Sequence, residues 1–181
     1  MKTSVALLLL GLAALVVQGA LARAIPPPWC PDLAWLVVVG IGLRWPNWIS
    51  GVLLAVVLGY AMDLVSGSLL GQHALLRLLS YLAAALAARQ LDLTGGLPVA
   101  MLVLSMTLFY GLAMVSILSF FVDASWGSLE VLGAAFAHGL VNMLASGPVL
   151  SLVEQVVGRF SDEEVGRRAP MPLGFERREI G

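Results

Sequence analysis

The chain has 181 residues, 60% of them hydrophobic and 12% charged, with a net charge of −1 and a mean hydropathy of +0.95. A soluble domain usually carries roughly 25% charged residues, so this composition fits one membrane domain and gives no reason to expect a nucleic-acid partner. The single cysteine, Cys30, excludes an intrachain disulfide and a thiolate metal cluster.

Six apolar segments follow in chain order. Thr3 to Ala22 is free of charge and long enough to cross a hydrocarbon core of ~30 Å. Lys2, this run and the end Ala20-Leu21-Ala22-Arg23-Ala24 also suit a secretory signal peptide. The apolar stretch from Val5 to Ala22 exceeds the usual h-region of about 7–15 residues, so a retained helix is expected. Pro26-Pro27-Pro28 should be extended, and Pro31 suits a first helical position. Asp32 to Leu43 is then short, ~18 Å of helix. Arg44-Trp45-Pro46-Asn47-Trp48 reads as a tight turn at headgroup level. Trp48 to Met62 is short as well. These two short helices are expected to pack as a hairpin shielded by longer neighbours, with a re-entrant pair as the alternative.

Ala74 to Ala88 is apolar except for Arg77, and Leu97 to Val122 is charge-free and long enough to span with tilt. Val131 to Val153 contains His138, Asn142 and Pro148. From Gly158 the composition turns to Arg, Glu, Pro and Gly. The expected fold is all-α: a polytopic integral membrane protein of six transmembrane helices, with residues 1–157 as the domain and 158–181 as a flexible cytoplasmic tail. Lys2, Arg44, Arg89, Arg159, Arg167, Arg168, Arg177 and Arg178 then share one side, and only Arg23 lies on the other. That bias places both termini in the cytoplasm.

Small residues four apart let helices approach closely. Ala83/Ala87, Ala84/Ala88, Gly133/Ala137 and Ala135/Gly139 do so. They suit packing within the chain or docking of a partner, and self-association stays open.

The polar residues concentrate in the break between the third and fourth segments. Gly59, Asp63, Ser66, Gly67, Gly71 and His73 fall there, with Arg77 one turn further on. A carboxylate at a helix C-terminus is unfavourable, because the dipole there is already negative. Arg77 is the nearest cation, so an Asp63–Arg77 pair is expected. The alternative has Asp63 capping the fourth helix through backbone N–H groups near Gln72 and His73. His138 and Asn142, four apart, share a face of the last helix. Mutual satisfaction of these groups is the leading reading, and a solute site is the next. Asp63, Ser66 and His73 have the composition of a catalytic triad, but no nucleophile, zinc or phosphate-binding motif accompanies them. No catalytic residue, metal site or cofactor is expected.

The pattern Gly59-x3-Asp63-x2-Ser66-Gly67-x3-Gly71-x-His73-Ala74-Leu75 resembles the signature region of the bacterial rod shape-determining MreD family. The proline-rich entry to Pro31-Asp32, the short helix after it and Pro46 resemble that family too. The resemblance implies a non-enzymatic inner-membrane component of the cell-elongation machinery. Its implied partner is MreC, and through it MreB, the glycosyltransferase RodA and RodA's transpeptidase partner. The implied fold is similar to the substrate-binding subunits of energy-coupling-factor vitamin transporters, which supplies a second functional reading. Those subunits often carry an alanine ladder on the first helix, and here only Ala20 and Ala24 match it.

Overall fold

The computed structural model describes residues 2–67, 69–91, 93, 95–122 and 129–168. Six helices follow one another: α1 (Lys2–Ala24), α2 (Leu33–Arg44), α3 (Trp48–Ser66), α4 (Gln72–Gln90), α5 (Gly96–Val122) and α6 (Leu129–Arg168). No strand occurs among the described residues. By length and composition α1, α3, α5 and α6 can each cross a membrane. α2 is too short, and α4 carries Gln72, His73, Arg77, Arg89 and Gln90.

α2 is the centre of the bundle. Ala34 to Gly42 are all buried, and α1, α3, α4 and α6 pack around them. A helix apolar on every face needs cover on every face. At ~18 Å it falls short of a ~30 Å hydrocarbon core, so longer neighbours must bring that cover. Asp32 starts it as N-cap, accepting from Trp35 N at 2.9 Å. Pro31 therefore stands just before the cap rather than at the first helical position. At the other end Trp45 N donates to Ile41 O, and Pro46 stops the helix. Asn47 then caps α3, accepting from Ser50 N at 3.3 Å.

The remaining contacts come from small residues and short stripes. On α1 the buried residues Thr3, Leu7 and Gly11 recur every four positions, and a Cβ at Gly11 would run into the Leu58 side chain. Gly42 of α2 faces Ala84 of α4, and Gly139 of α6 faces Leu104 of α5. Ala84 and Gly139 thus serve packing within the chain, whereas Gly133 opens on empty space. α5 packs mainly on α6 and meets α4 over a shorter stretch.

Besides the position of Pro31, four local features differ from expectation. α3 is not short: it runs on past Met62 to Ser66 and is long enough to cross a membrane, so only α2 is the short helix. The proline run turns back instead of extending, with Trp29 N donating to Pro26 O at 3.1 Å. The contacts of Pro28 and Cys30 with α6 and α1 hold it there. α4 begins at Gln72, two residues before the apolar segment, because an acceptor outside the helix satisfies its first N–H groups. α6 continues past Gly158 to Arg168. The polar stretch there has no proline and is rich in Glu and Arg, which form helix as readily as apolar residues do. The rest of the expected tail, 169–181, lies outside the described residues.

Candidate functional site

The break between α3 and α4 is a turn built around one carboxylate. Gly67 ends α3 in the left-handed region, with φ of 64°, and its N–H reaches Asp63 O at 3.2 Å. Gly71 precedes α4 with φ of 92°. Residues with a Cβ adopt such angles only at a cost, which is why glycine stands at both ends. The turn brings the start of α4 onto the Asp63 side chain. Oδ1 accepts from His73 N (2.8 Å) and His73 Nδ1 (2.9 Å). Oδ2 accepts from Gly71 N (2.9 Å) and Ala74 N (3.3 Å). The carboxylate is 1% exposed. It caps α4 from another helix, and the positive end of the α4 dipole offsets its charge. Gly59 makes the crossing feasible: a Cβ there would lie 2.7 Å from His73 O and 2.8 Å from Ala74 N.

A second assembly lies deeper, at the start of α2. Arg77 is 0% exposed; its Nη2 donates to Asp32 Oδ1 (3.1 Å) and its Nη1 to Leu58 O (3.0 Å). Asp32 N donates to Asn142 Oδ1 at 2.8 Å. Asn142 Nδ2 approaches His138 Nε2 (3.2 Å) and Thr107 Oγ1 (3.5 Å). His138 Nδ1 faces Pro28 O at 3.2 Å. A carbonyl only accepts, so Nδ1 carries the proton and Nε2 accepts from the amide. Trp35 Nε1 donates to Ser80 Oγ (2.9 Å), and the Trp35 ring meets Tyr110 edge-on, 5.9 Å between centroids. One connected set of bonds therefore ties α2 to α3, α4, α5 and α6.

The depth of this assembly follows from helix rise. Asp32 precedes Arg44 by 12 residues and Asn142 precedes Glu154 by the same number, so each step is ~18 Å. Asp32 meets Asn142 at one end, and Arg44 meets Glu154 at the other, 3.8 Å apart. The two helices run parallel in register. Were Arg44 at the boundary of a ~30 Å core, as its sequence context leads one to expect, the Asp32–Arg77 pair would fall near the middle. A charge at that depth is costly alone, and pairing offsets the cost.

The expected Asp63–Arg77 pair does not form. Arg77 pairs with Asp32 instead, and Asp63 takes the capping role. The candidate residues divide accordingly. Asp63, Gly67, Gly71 and His73 meet in the turn, while Arg77, His138 and Asn142 meet in the deeper assembly. Ser66 ends α3 on the exposed surface, whereas Asp63 and His73 are buried. Asp32, Thr107, Ser80 and Tyr110 complete the deeper assembly; none was expected as a site residue, although Asp32 belongs to the family-like entry. Asp32 had a legible signal: an acid at a helix start, inside a charge-poor segment, invites a buried cation. No group of three His, Cys, Asp or Glu side chains is placed to hold a metal ion among the described residues.

These features define a polytopic helical membrane protein in which most of the polar motif residues hold helices to one another. The family model described as rod shape-determining protein MreD matches residues 3–156, most of the chain, and the chain belongs to that family. Membership carries a role in determining rod shape. Neither a curated protein nor a solved structure matches the chain.

Proposed function

We propose that the protein is a non-enzymatic scaffold of the bacterial inner membrane, serving cell elongation and peptidoglycan synthesis. It binds MreC and, through MreC, reaches MreB, RodA and RodA's transpeptidase partner. It crosses the membrane six times, with α2 and α4 shielded by the longer helices and both termini in the cytoplasm. The observation that supports a scaffold is the use of the signature residues. Asp63, Gly67, Gly71 and His73 are engaged in one helix-capping turn, and Arg77, His138 and Asn142 in one helix-tying network. A rigid set of helices is what a partner-binding membrane component requires. Affinity purification of the tagged protein from its own membranes tests this reading. MreC and elongation enzymes should co-purify. Recovery of an ATP-driven transport module in their place would favour the transporter-subunit reading.

A further inference from the structure

The end of the bundle that carries Arg44 and Arg89 holds a cavity that neither polar assembly uses. It encloses about 240 Å³, and Arg44, Trp45, Trp48, Tyr81 and Arg89 are among its walls. A second cavity of about 130 Å³, lined by Arg44, Ala88, Leu91 and Val99 among others, lies beside it. Leu43, Arg44 and Ala88 belong to both.

We propose that this pair of cavities binds one anionic phospholipid, its phosphate between Arg44 and Arg89 and the start of one acyl chain in the smaller slot. Charge supports it first. Arg89 has no ion-pair partner among the described residues. Among the described residues Arg44 forms an ion pair only with Glu154, through Nε at 3.8 Å and with both side chains well exposed. Such a contact contributes little and leaves both Nη groups for another acceptor. A guanidinium offers paired donors that match phosphate oxygens.

Position supports it next. Arg44 and Arg89 sit in the last turns of α2 and α4, and α3 starts at Trp48 beside them. In the six-crossing topology proposed above, on which this inference rests, all three helix ends fall at the boundary where lipid phosphates are found, flanked by tryptophan as interfacial sites are. The N-terminus of α3 adds the positive end of its dipole. Basic pockets between helices at this level take anionic headgroups. Each arginine also suits the C-terminus of its own helix. That explains one cation per helix, but not two cations and three aromatic rings around a single cavity.

Native mass spectrometry of the full-length protein in neutral detergent tests this, with phosphatidylglycerol and phosphatidylcholine of matched chains as competing probes. The wild type should retain one phosphatidylglycerol in preference to phosphatidylcholine, and the preference should fall as salt rises. Arg44→Gln with Arg89→Gln should weaken that retention roughly 30-fold, from two lost cations near the surface. Arg159→Gln, outside both cavities, should leave it unchanged. If the double variant does not fold, the wild-type lipid competition across salt still decides. Equal retention of the two lipids by the wild type would overturn the proposal, as would wild-type retention in a folded double variant. Displacement of the lipid by millimolar inorganic phosphate would overturn it in favour of a soluble anion.

Discussion

Asp63 uses both carboxylate oxygens, and this decides how it responds to substitution. Asparagine keeps one acceptor and turns an amide NH2 toward two backbone donors. Each buried group left unsatisfied costs ~1–3 kcal/mol. Asp63→Asn should therefore lower stability by about 2–5 kcal/mol, close to Asp63→Ala, where an ordinary exposed cap would tolerate asparagine. That loss is large against a total of ~5–15 kcal/mol. Thermal unfolding in detergent would measure it, and a mild Asp63→Asn would contradict the four-bond geometry. Removing one partner of the Asp32–Arg77 pair strands the other, so in double-mutant cycles this pair should couple by about 1–3 kcal/mol. Asp63 and Arg77 should couple by less than ~0.5 kcal/mol. Tyr110 presents the opposite case. Its hydroxyl is buried beside the Arg77 guanidinium but makes no hydrogen bond of good geometry among the described residues. Tyr110→Phe keeps the ring against Trp35 and should leave the melting temperature equal or higher. A clear drop would mean that the hydroxyl accepts from Arg77.

At the scale of elements, close approach governs. α3 and α4 cross where Gly59 faces the backbone of His73 and Ala74, which cannot move aside as a side chain can. Gly59→Ala should push the helices apart and cost about 1–3 kcal/mol as an overpacked contact. Gly133→Ala, with open space around it, should be neutral or stabilising by up to ~1 kcal/mol. Equal melting temperatures for the two variants would remove the argument for the crossing. The helices themselves were legible in the sequence: apolar runs set their number, and Pro46, Gly67 and Gly71 set their breaks. Their polar pairing was less legible. Arg77 follows Asp63 by 14 positions and Asp32 by 45, and sequence proximity favoured the wrong acid. Only the packing of α2 against α4 brings Asp32 within reach. The same holds for Tyr110 and Thr107, ordinary residues of an apolar run until α5 is placed against its neighbours.

For the whole molecule, the parallel run of α2 and α6 brings Arg44 and Glu154 to one end of the bundle. The same end carries Arg89. Reporter fusions after Arg44 and after Gly181 should both report cytoplasm, and a periplasmic signal from the latter would refute six crossings with cytoplasmic ends. The polar core is assigned to holding the helices, and the cell-shape role to the surfaces they present. Shape rescue should then follow protein level. The most direct measurement is complementation of rod shape in a deletion strain by Asp32→Ala, Arg77→Ala, Ser66→Ala and the apolar double replacement Asp32→Ala with Arg77→Met, each scored with membrane abundance and MreC co-purification. Ser66→Ala should complement fully. The two single charge removals should lose shape in proportion to lost abundance, and the double replacement should lose less of both than the singles predict. A variant that reaches normal abundance, retains MreC and still fails to restore rods would show that the polar core acts directly.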